Sequence, residues 1–257
     1  MSYVKLLIMK ETMKIDIWSD IMCPFCYIGK RKLEGALEQF EHKDDVQIVW
    51  YSFQLDPTMK YEAGKDIHGY LAAKYGKTRE WSVSVHNQMT ETAKKEGLTY
   101  NFDKALIANS FDAHRLIQLA KTKGLADAAE EKLFRAYFTE GKNISDHNTL
   151  MQIGMELGLG AVEVGEMLNS DAFADEVHND IHMAQTLGIS GVPFFLLDER
   201  YGISGAQPVK VFTDGLQQAW AIHERAKQTM KNDVNGGVCT PDGVCEPTIN
   251  QEIIQNN

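Results

Sequence analysis

The sequence predicts an α/β domain interrupted by an all-helical insertion. Three observations carry this expectation. Strand-like runs near the N-terminus bracket a helix-like run. From about Asp66 to Leu187 the apolar spacing becomes helical throughout. Strand character then returns at Val192–Leu197, followed by a short second strand and a final helix. The outer pieces together supply the roughly 100 residues that a two-layer α/β unit needs. The predicted organisation is therefore one domain built from 14–62 and 188–231, an inserted helical domain at 63–187, and a C-terminal tail at 232–257.

The elements follow in order. Lys14 to Ser19 reads as the first strand, although Asp16 interrupts its apolar pattern. Gly29 to Phe40 reads as a helix, with Leu33, Leu37 and Phe40 spaced for one buried face. Gln47 to Phe53 is rich in β-branched and aromatic residues and reads as the second strand, ended by Pro57. In the helical block, Trp81, Val85, Met89 and Ala93 recur at four-residue steps. Phe134, Tyr137 and Phe138 form a second apolar face, and Leu150, Ile153 and Leu157 a third, entered through Ser145 as the expected N-cap. Gly124, Gly158 and Gly188 each follow a helical run, where a terminating glycine is expected. Tyr201 to Ser204 is the last strand, and Val209 to Met230 the last helix. After Asn232 the composition turns to Asn, Gly, Pro and Asp, which predicts a loop-like tail.

The 257 residues are 44% hydrophobic and 24% charged, as in an ordinary globular protein. A net charge of −10 argues against nucleic acid or an anionic membrane as partner. The apolar stretch before Met9 is too short for a secretory signal and is followed by Lys10 and Glu11. The expected location is therefore cytoplasmic, where a structural disulfide is rare and a close cysteine pair points to redox or metal chemistry. Met9 and Met13 are alternative translation starts.

Cys23-Pro24-Phe25-Cys26 carries the chemistry. It sits where the first strand passes into the first helix, the position of a redox dithiol. One helical turn brings the two sulfurs to the same face, within reach of a short disulfide. The unpaired amides and partial positive charge of a helix N-terminus favour a thiolate at Cys23. Pro24 falls at the first helical position, where its missing N–H is not needed.

Three segments now coincide: Ser19-Asp20-Ile21-Met22-Cys23-Pro24-Phe25-Cys26-Tyr27-Ile28-Gly29-Lys30, Gly188-Ile189-Ser190-Gly191-Val192-Pro193-Phe194-Phe195, and Ile203-Ser204-Gly205-Ala206-Gln207-Pro208. Together they resemble the DsbA-like thioredoxin-fold oxidoreductases, most closely the FrnE type, over about Lys14 to Met230. The resemblance implies a thioredoxin-like domain with a helical domain inserted after the second strand. It also implies a cis peptide at Pro193 that faces the dithiol and turns the Val192 backbone outward, so that a substrate peptide can pair with it.

The expected activity is dithiol–disulfide exchange on protein or low-molecular-weight disulfides. Cys23 is the exposed nucleophile, and the deeper Cys26 resolves the mixed disulfide. The helical domain roofs the site, with Trp81, Met89 and Phe111 as candidate lining residues. Asp20, and less so Asp16, is a candidate proton relay, set against a plain role for Asp20 in bracing the turn. Pro-Phe replaces the histidine-containing pair of the strongly oxidising periplasmic members, so a less oxidising dithiol is expected. No bound cofactor is implied, with glutathione as an optional co-substrate.

FrnE-type proteins also carry a second cysteine pair near the C-terminus. Here Cys239 and Cys245 enclose a turn sequence and stand as an auxiliary redox pair, a tail clip, or two free thiols. Zinc is disfavoured because the two pairs lie far apart and the second lacks ligand spacing. His178 and His182 are spaced for one helix face but lack the adjacent glutamate of a zinc protease. Two other readings stay open. Relatives with this fold and insertion include glutathione-dependent 2-hydroxychromene-2-carboxylate isomerases and kappa-class glutathione transferases, which typically have serine where Cys23 stands. The other is a redox-linked chaperone. The sequence does not set the oligomeric state.

Overall fold

The computed structural model describes residues 12–61, 64–235, 238–239 and 245–246. Strand β1, Met13–Ser19, lies inside a four-stranded sheet of order β2-β1-β3-β4. Its parallel neighbour β2, Val46–Ser52, pairs from Met13 opposite Val46 to Ser19 opposite Ser52. A parallel pair requires a crossover, supplied by helix α1, Pro24–Leu37. Strands β3, Phe194–Leu197, and β4, Tyr201–Ser204, complete the sheet antiparallel.

Alternation sorts the strand side chains onto two faces. Ile15, Ile17, Trp50, Phe195 and Leu197 pack against Leu33 and Ala36 of α1. The same face meets Phe212, Leu216 and Ala219 of the last helix, α9, Val209–Asn235. The other face carries Trp18, Tyr51, Phe194 and Leu196. Residue 16 points to this second face, where the Asp16 carboxyl meets Tyr51, away from the helix that carries the dithiol. Burial raises its pKa.

Between β2 and β3 the described residues form seven helices: α2 Ile67–Tyr75, α3 Arg79–Lys95, α4 Phe111–Lys121, α5 Ala126–Phe134, α6 His147–Glu156, α7 Ala161–Leu168 and α8 Ala174–Thr186. A π-helical turn, Arg135–Thr139, extends α5. It presents Tyr137 and Phe138, which pack with Phe134, Tyr100 and Phe102 into an aromatic core. Gly124, Gly158 and Gly188 end their helices with φ of 74°, 86° and 71°, a conformation that L side chains rarely adopt.

The cap of α6 is one residue later than the sequence suggests. Ser145 donates its hydroxyl to Asn143 Oδ1 at 2.7 Å, and Asp146 Oδ2 accepts the Thr149 amide at 2.9 Å instead. The block is tied back to the sheet through Asp180 on α8. Its Oδ2 accepts the Ser52 amide at 2.8 Å and the Gln118 side-chain amide at 2.6 Å, and its carbonyl accepts the Trp18 indole N–H at 3.2 Å.

The tail differs from the loop-like expectation. Helix α9 continues to Asn235, and Val238–Cys239 then pairs antiparallel with Cys245–Glu246 as β5 and β6. The register sets Cys239 directly opposite Cys245. The remaining tail residues, the Met1–Met9 segment and the boundary at 62–63 lie outside the described residues. Among the described residues, no helix is long and apolar enough to cross a membrane.

Candidate active site

Cys23 occupies the N-cap of α1, with extended backbone angles of −89° and 110°, and Pro24 follows at the helix start. A tight turn delivers it there: the Cys23 amide donates to the Asp20 carbonyl at 2.9 Å, and the Cys26 amide donates to the Cys23 carbonyl at 2.9 Å. Both cysteines are free thiols, so the structure is that of the reduced dithiol. Burial pushes the Cys26 thiol well above its ordinary range, and the facing Cys23 thiol adds to the rise. The Asp20 amide and Ser19 hydroxyl oppose it.

The second wall is the segment before β3. The Val192–Pro193 peptide is cis, and the Cys23 thiol donates to the Val192 carbonyl at 3.4 Å. Gly29 sets how closely helix and segment approach. A Cβ built there would lie 3.0 Å from both Pro193 Cγ and Phe195 Cζ, tighter than most real contacts. A side chain at residue 29 would press α1 away from Pro193 and widen the gap between Cys23 and Val192.

The expectation of an exposed Cys23 is corrected. It is 3% exposed, about as buried as Cys26 at 2%. The cover comes from the helical insertion. Tyr100 donates its hydroxyl to the Pro24 carbonyl at 2.6 Å and stacks on Tyr27. The exposed apolar groups nearby in the sequence are Phe25, beside the dithiol, and Leu55, whose amide meets Asp20. Of the candidate lining residues, Trp81 packs on Tyr75 and Phe111 tilts onto His178, while Met89 packs against the cluster that contains Cys23 and Cys26. Tyr27 and Tyr100 belong to that same cluster.

Asp20 is 2% exposed and acts as a brace. Its Oδ1 accepts the Met22 amide at 3.2 Å, and its Oδ2 accepts the Leu55 amide at 2.8 Å, joining the dithiol turn to the chain beyond β2. His114 Nε2 lies 3.6 Å from Oδ1. Replacing Asp20 with Asn should therefore act on stability, because one amide proton pair would face the Leu55 N–H. The expected loss is about 1–3 kcal/mol, measured by urea unfolding. The pH profile of thiol exchange should keep its shape, and loss of a limb would restore Asp20 as the relay.

Two features were not found from the sequence. Glu130 on α5 is 1% exposed, and its Oε2 makes no hydrogen bond. The second is an ion cluster around the buried Lys30, whose Nζ pairs with Glu34 and lies 3.2 Å from both Asp127 Oδ2 and Glu131 Oε2. Histidines 178 and 182 are exposed on α8. Among the described residues, no group of three or more His, Cys, Asp or Glu is placed to hold a metal.

A sheet of this order, with a CxxC at the head of the crossover helix and a cis proline against it, defines a thioredoxin-like dithiol protein. A family profile described as a DsbA-like thioredoxin domain matches residues 14–217. The chain belongs to the DsbA-like thioredoxin-domain family. It is similar to a probable DsbA oxidoreductase of Streptomyces coelicolor, at 37% identity over 91% of this chain and 98% of that one, with a TM-score of 0.78. It is 26% identical to the uncharacterized protein YwbO of Bacillus subtilis (strain 168), over 78% of this chain and 94% of that protein. The cytosolic disulfide reductase DsbM of Pseudomonas aeruginosa shares the fold at 18% identity, covering 81% of this chain and 99% of that one, with a TM-score of 0.58.

Proposed function

We propose that this chain is a thiol–disulfide oxidoreductase of the FrnE type, acting on protein or low-molecular-weight disulfides. The observation that supports it most is the pair of facing thiols, Cys23 and Cys26, at a helix N-terminus beside the Val192 carbonyl. Cys23 loses its proton and attacks a substrate disulfide, giving a mixed disulfide and one substrate thiolate. Cys26 then attacks Cys23 Sγ, the Cys23–substrate bond breaks, and the second thiolate leaves. Two electrons pass to the substrate, and all steps reverse when the oxidised protein accepts them. Burial keeps Cys26 protonated until that step.

Val192 and Pro193 are the substrate-contact residues in this reading. The approaching disulfide takes the place of the Cys23–Val192 contact, which frees the carbonyl to pair with the substrate backbone. Pro24 and Phe25 shape the turn, and Phe25 offers an apolar surface. Cys239 and Cys245, placed opposite each other by their ladder, form the auxiliary pair. Work in the cytoplasm, without a bound cofactor and with glutathione as a thiol source, completes the proposal. The intact pair of thiols supports exchange over a glutathione-dependent isomerase, which needs no second cysteine.

The test is trapping in cells with Cys26→Ser. The variant should accumulate mixed disulfides that a thiol reductant releases and that Cys23→Ser does not form. Capture no greater than with the double variant would remove the proposal.

A further inference from the structure

Asp20 is a junction of three parts of the chain. Its Oδ1 accepts the Met22 amide inside the dithiol turn, and its Oδ2 accepts the Leu55 amide beyond β2. The third part is the helical insertion. His114, near the start of α4, places its Nε2 3.6 Å from Asp20 Oδ1. Both side chains are almost fully buried, and each carries a deficit. Asp20 has lone pairs to spare, and His114 is its only ion-pair partner among the described residues. His114 has no hydrogen bond at either ring nitrogen. Buried polar groups left in this way are rare and call for a reason.

The charged neighbours of His114 on α4 are committed elsewhere. Asp112 and Arg115 bind each other at 2.8 Å. Asp112 also meets His147 at 3.1 Å, and Arg115 holds the carbonyls of Met167, Ser170 and Ala172. Their bonds run to α6, to the end of α7 and to the turn after it. The deficits of Asp20 and His114 lie side by side and are relieved together in one way. An imidazole protonated at Nε2 points its N–H at Oδ1, and a closure of about half an ångström gives a hydrogen bond of ordinary length. A ring protonated at Nδ1 alone would set a lone pair against the carboxylate.

We propose that His114 is a positioning residue of the dithiol: its Nε2–H holds the Asp20 carboxylate, and through it the Met22–Cys23 turn, against the helical insertion. This rests on the exchange reading above and extends it, since α4 becomes part of what places the nucleophile. The Cys23 thiol stands 3.4 Å from the Val192 carbonyl. Its place is set by the turn in which the Asp20 side chain accepts the Met22 amide and the Asp20 carbonyl accepts the Cys23 amide. With no donor at residue 114, two amides alone fix the angle of the carboxylate, one of them at 3.2 Å, and the turn can shift. A misplacement of about 1 Å can cost about a hundredfold in rate. His114 acts only through Asp20 by this account, and it moves no proton.

The first measurement is nuclear magnetic resonance of the histidine ring nitrogens in the wild-type protein, with His114 assigned by its absence from His114→Gln. Nε2 should carry a proton, and that proton should shift when Asp20 is replaced by Asn. A ring protonated at Nδ1 alone, or an Nε2 proton indifferent to Asp20→Asn, overturns the proposal. The second measurement is single-turnover reduction of the oxidised protein by dithiothreitol. His114→Leu should be slower by at least about tenfold, whereas His114→Gln, whose amide nitrogen can stand where Nε2 does, should stay within about threefold of the wild type. In the Asp20→Asn background His114→Leu should cost no more than about a further twofold, because the two residues act as one unit. A wild-type rate in His114→Leu, equal losses in the Leu and Gln variants, or losses that multiply in the double variant would overturn the inference. Should His114→Leu not fold, the wild-type ring spectrum decides. Mixed-disulfide capture by Cys26→Ser does not depend on residue 114, so failure of this inference and failure of the exchange reading give different results.

Discussion

Cys23→Ser abolishes dithiothreitol-coupled reduction of insulin, a loss of at least about 10³-fold expected for removal of a covalent nucleophile. The fold should survive. The thiol makes one weak contact, to the Val192 carbonyl at 3.4 Å, and serine is smaller and keeps a donor. The change in stability should stay within about 1 kcal/mol, and the melting temperature within about 2–4 °C for a chain of this size. Activity and stability therefore separate in one variant. Cys26→Ser should also stop turnover, but at a later stage, since Cys23 still forms the mixed disulfide and only its release is lost. If Cys23→Ser keeps most of its insulin reduction while Cys26→Ser loses it, the roles are exchanged and the geometric assignment is wrong.

The same variant separates the other readings. It puts serine where the glutathione-dependent isomerases and transferases typically have one. A gain of isomerisation with glutathione and an aromatic substrate would show that the pocket belongs to that chemistry. Suppression of aggregation retained by Cys23→Ser would show a chaperone activity that does not use the dithiol. Neither result is expected, because Tyr100 and Tyr27 are buried and stacked in the same apolar cluster as the two cysteines.

Local signals in the sequence were enough for the frame and for the position of the dithiol. Period-two apolar runs gave β1 and β2, helical spacing gave the insertion, and Gly124, Gly158 and Gly188 marked helix ends because only backbone energetics matter at positive φ. Asp20 as a brace was also readable, since a carboxylate ahead of a turn finds nearby amides. What failed was set by distant chain. Cys23 is buried in one apolar cluster with Tyr100, whose hydroxyl reaches the carbonyl of Pro24, 76 residues earlier in the chain. Trp81, chosen for its apolar spacing, lies half-buried against Tyr75 instead. Glu130 was invisible for the same reason. In Ala128-Ala129-Glu130-Glu131-Lys132 it reads as a solvated helix position, and only the packing of α5 against β2 and its neighbouring helices buries it. Ser145 was misread by one residue because Asn143 claims its hydroxyl.

The docking of α5 can be tested through Lys30. Its side chain is 4% exposed and is the cation shared by Glu34 on its own helix and by Asp127 and Glu131 on α5. Burial alone would lower its pKa, but the three carboxylates outweigh burial and raise it, so the lysine is charged in the folded protein. Asp127 also accepts the Trp50 indole N–H at 3.2 Å, which extends the cluster to β2. Lys30→Met keeps the aliphatic stem and removes the charge. Breaking a buried pair usually costs about 3–5 kcal/mol. Here the side chains of Glu34, Glu131 and Asp127 are 37%, 34% and 56% exposed, and Arg31 still holds Glu34 at 2.8 Å. Solvent screening therefore reduces the expected loss to about 2–3 kcal/mol, or a fall in melting temperature of about 4–12 °C.

The pH dependence has a definite sign. Glu131 has a lowered pKa in the folded state, so its contribution is present above its unfolded value and is lost as pH falls through the folded one. The gap between wild type and Lys30→Met should thus be full at neutral pH and narrow below about pH 4. A melting-temperature difference that is small at neutral pH, or that widens on acidification, would mean that α5 is held by its apolar contacts alone.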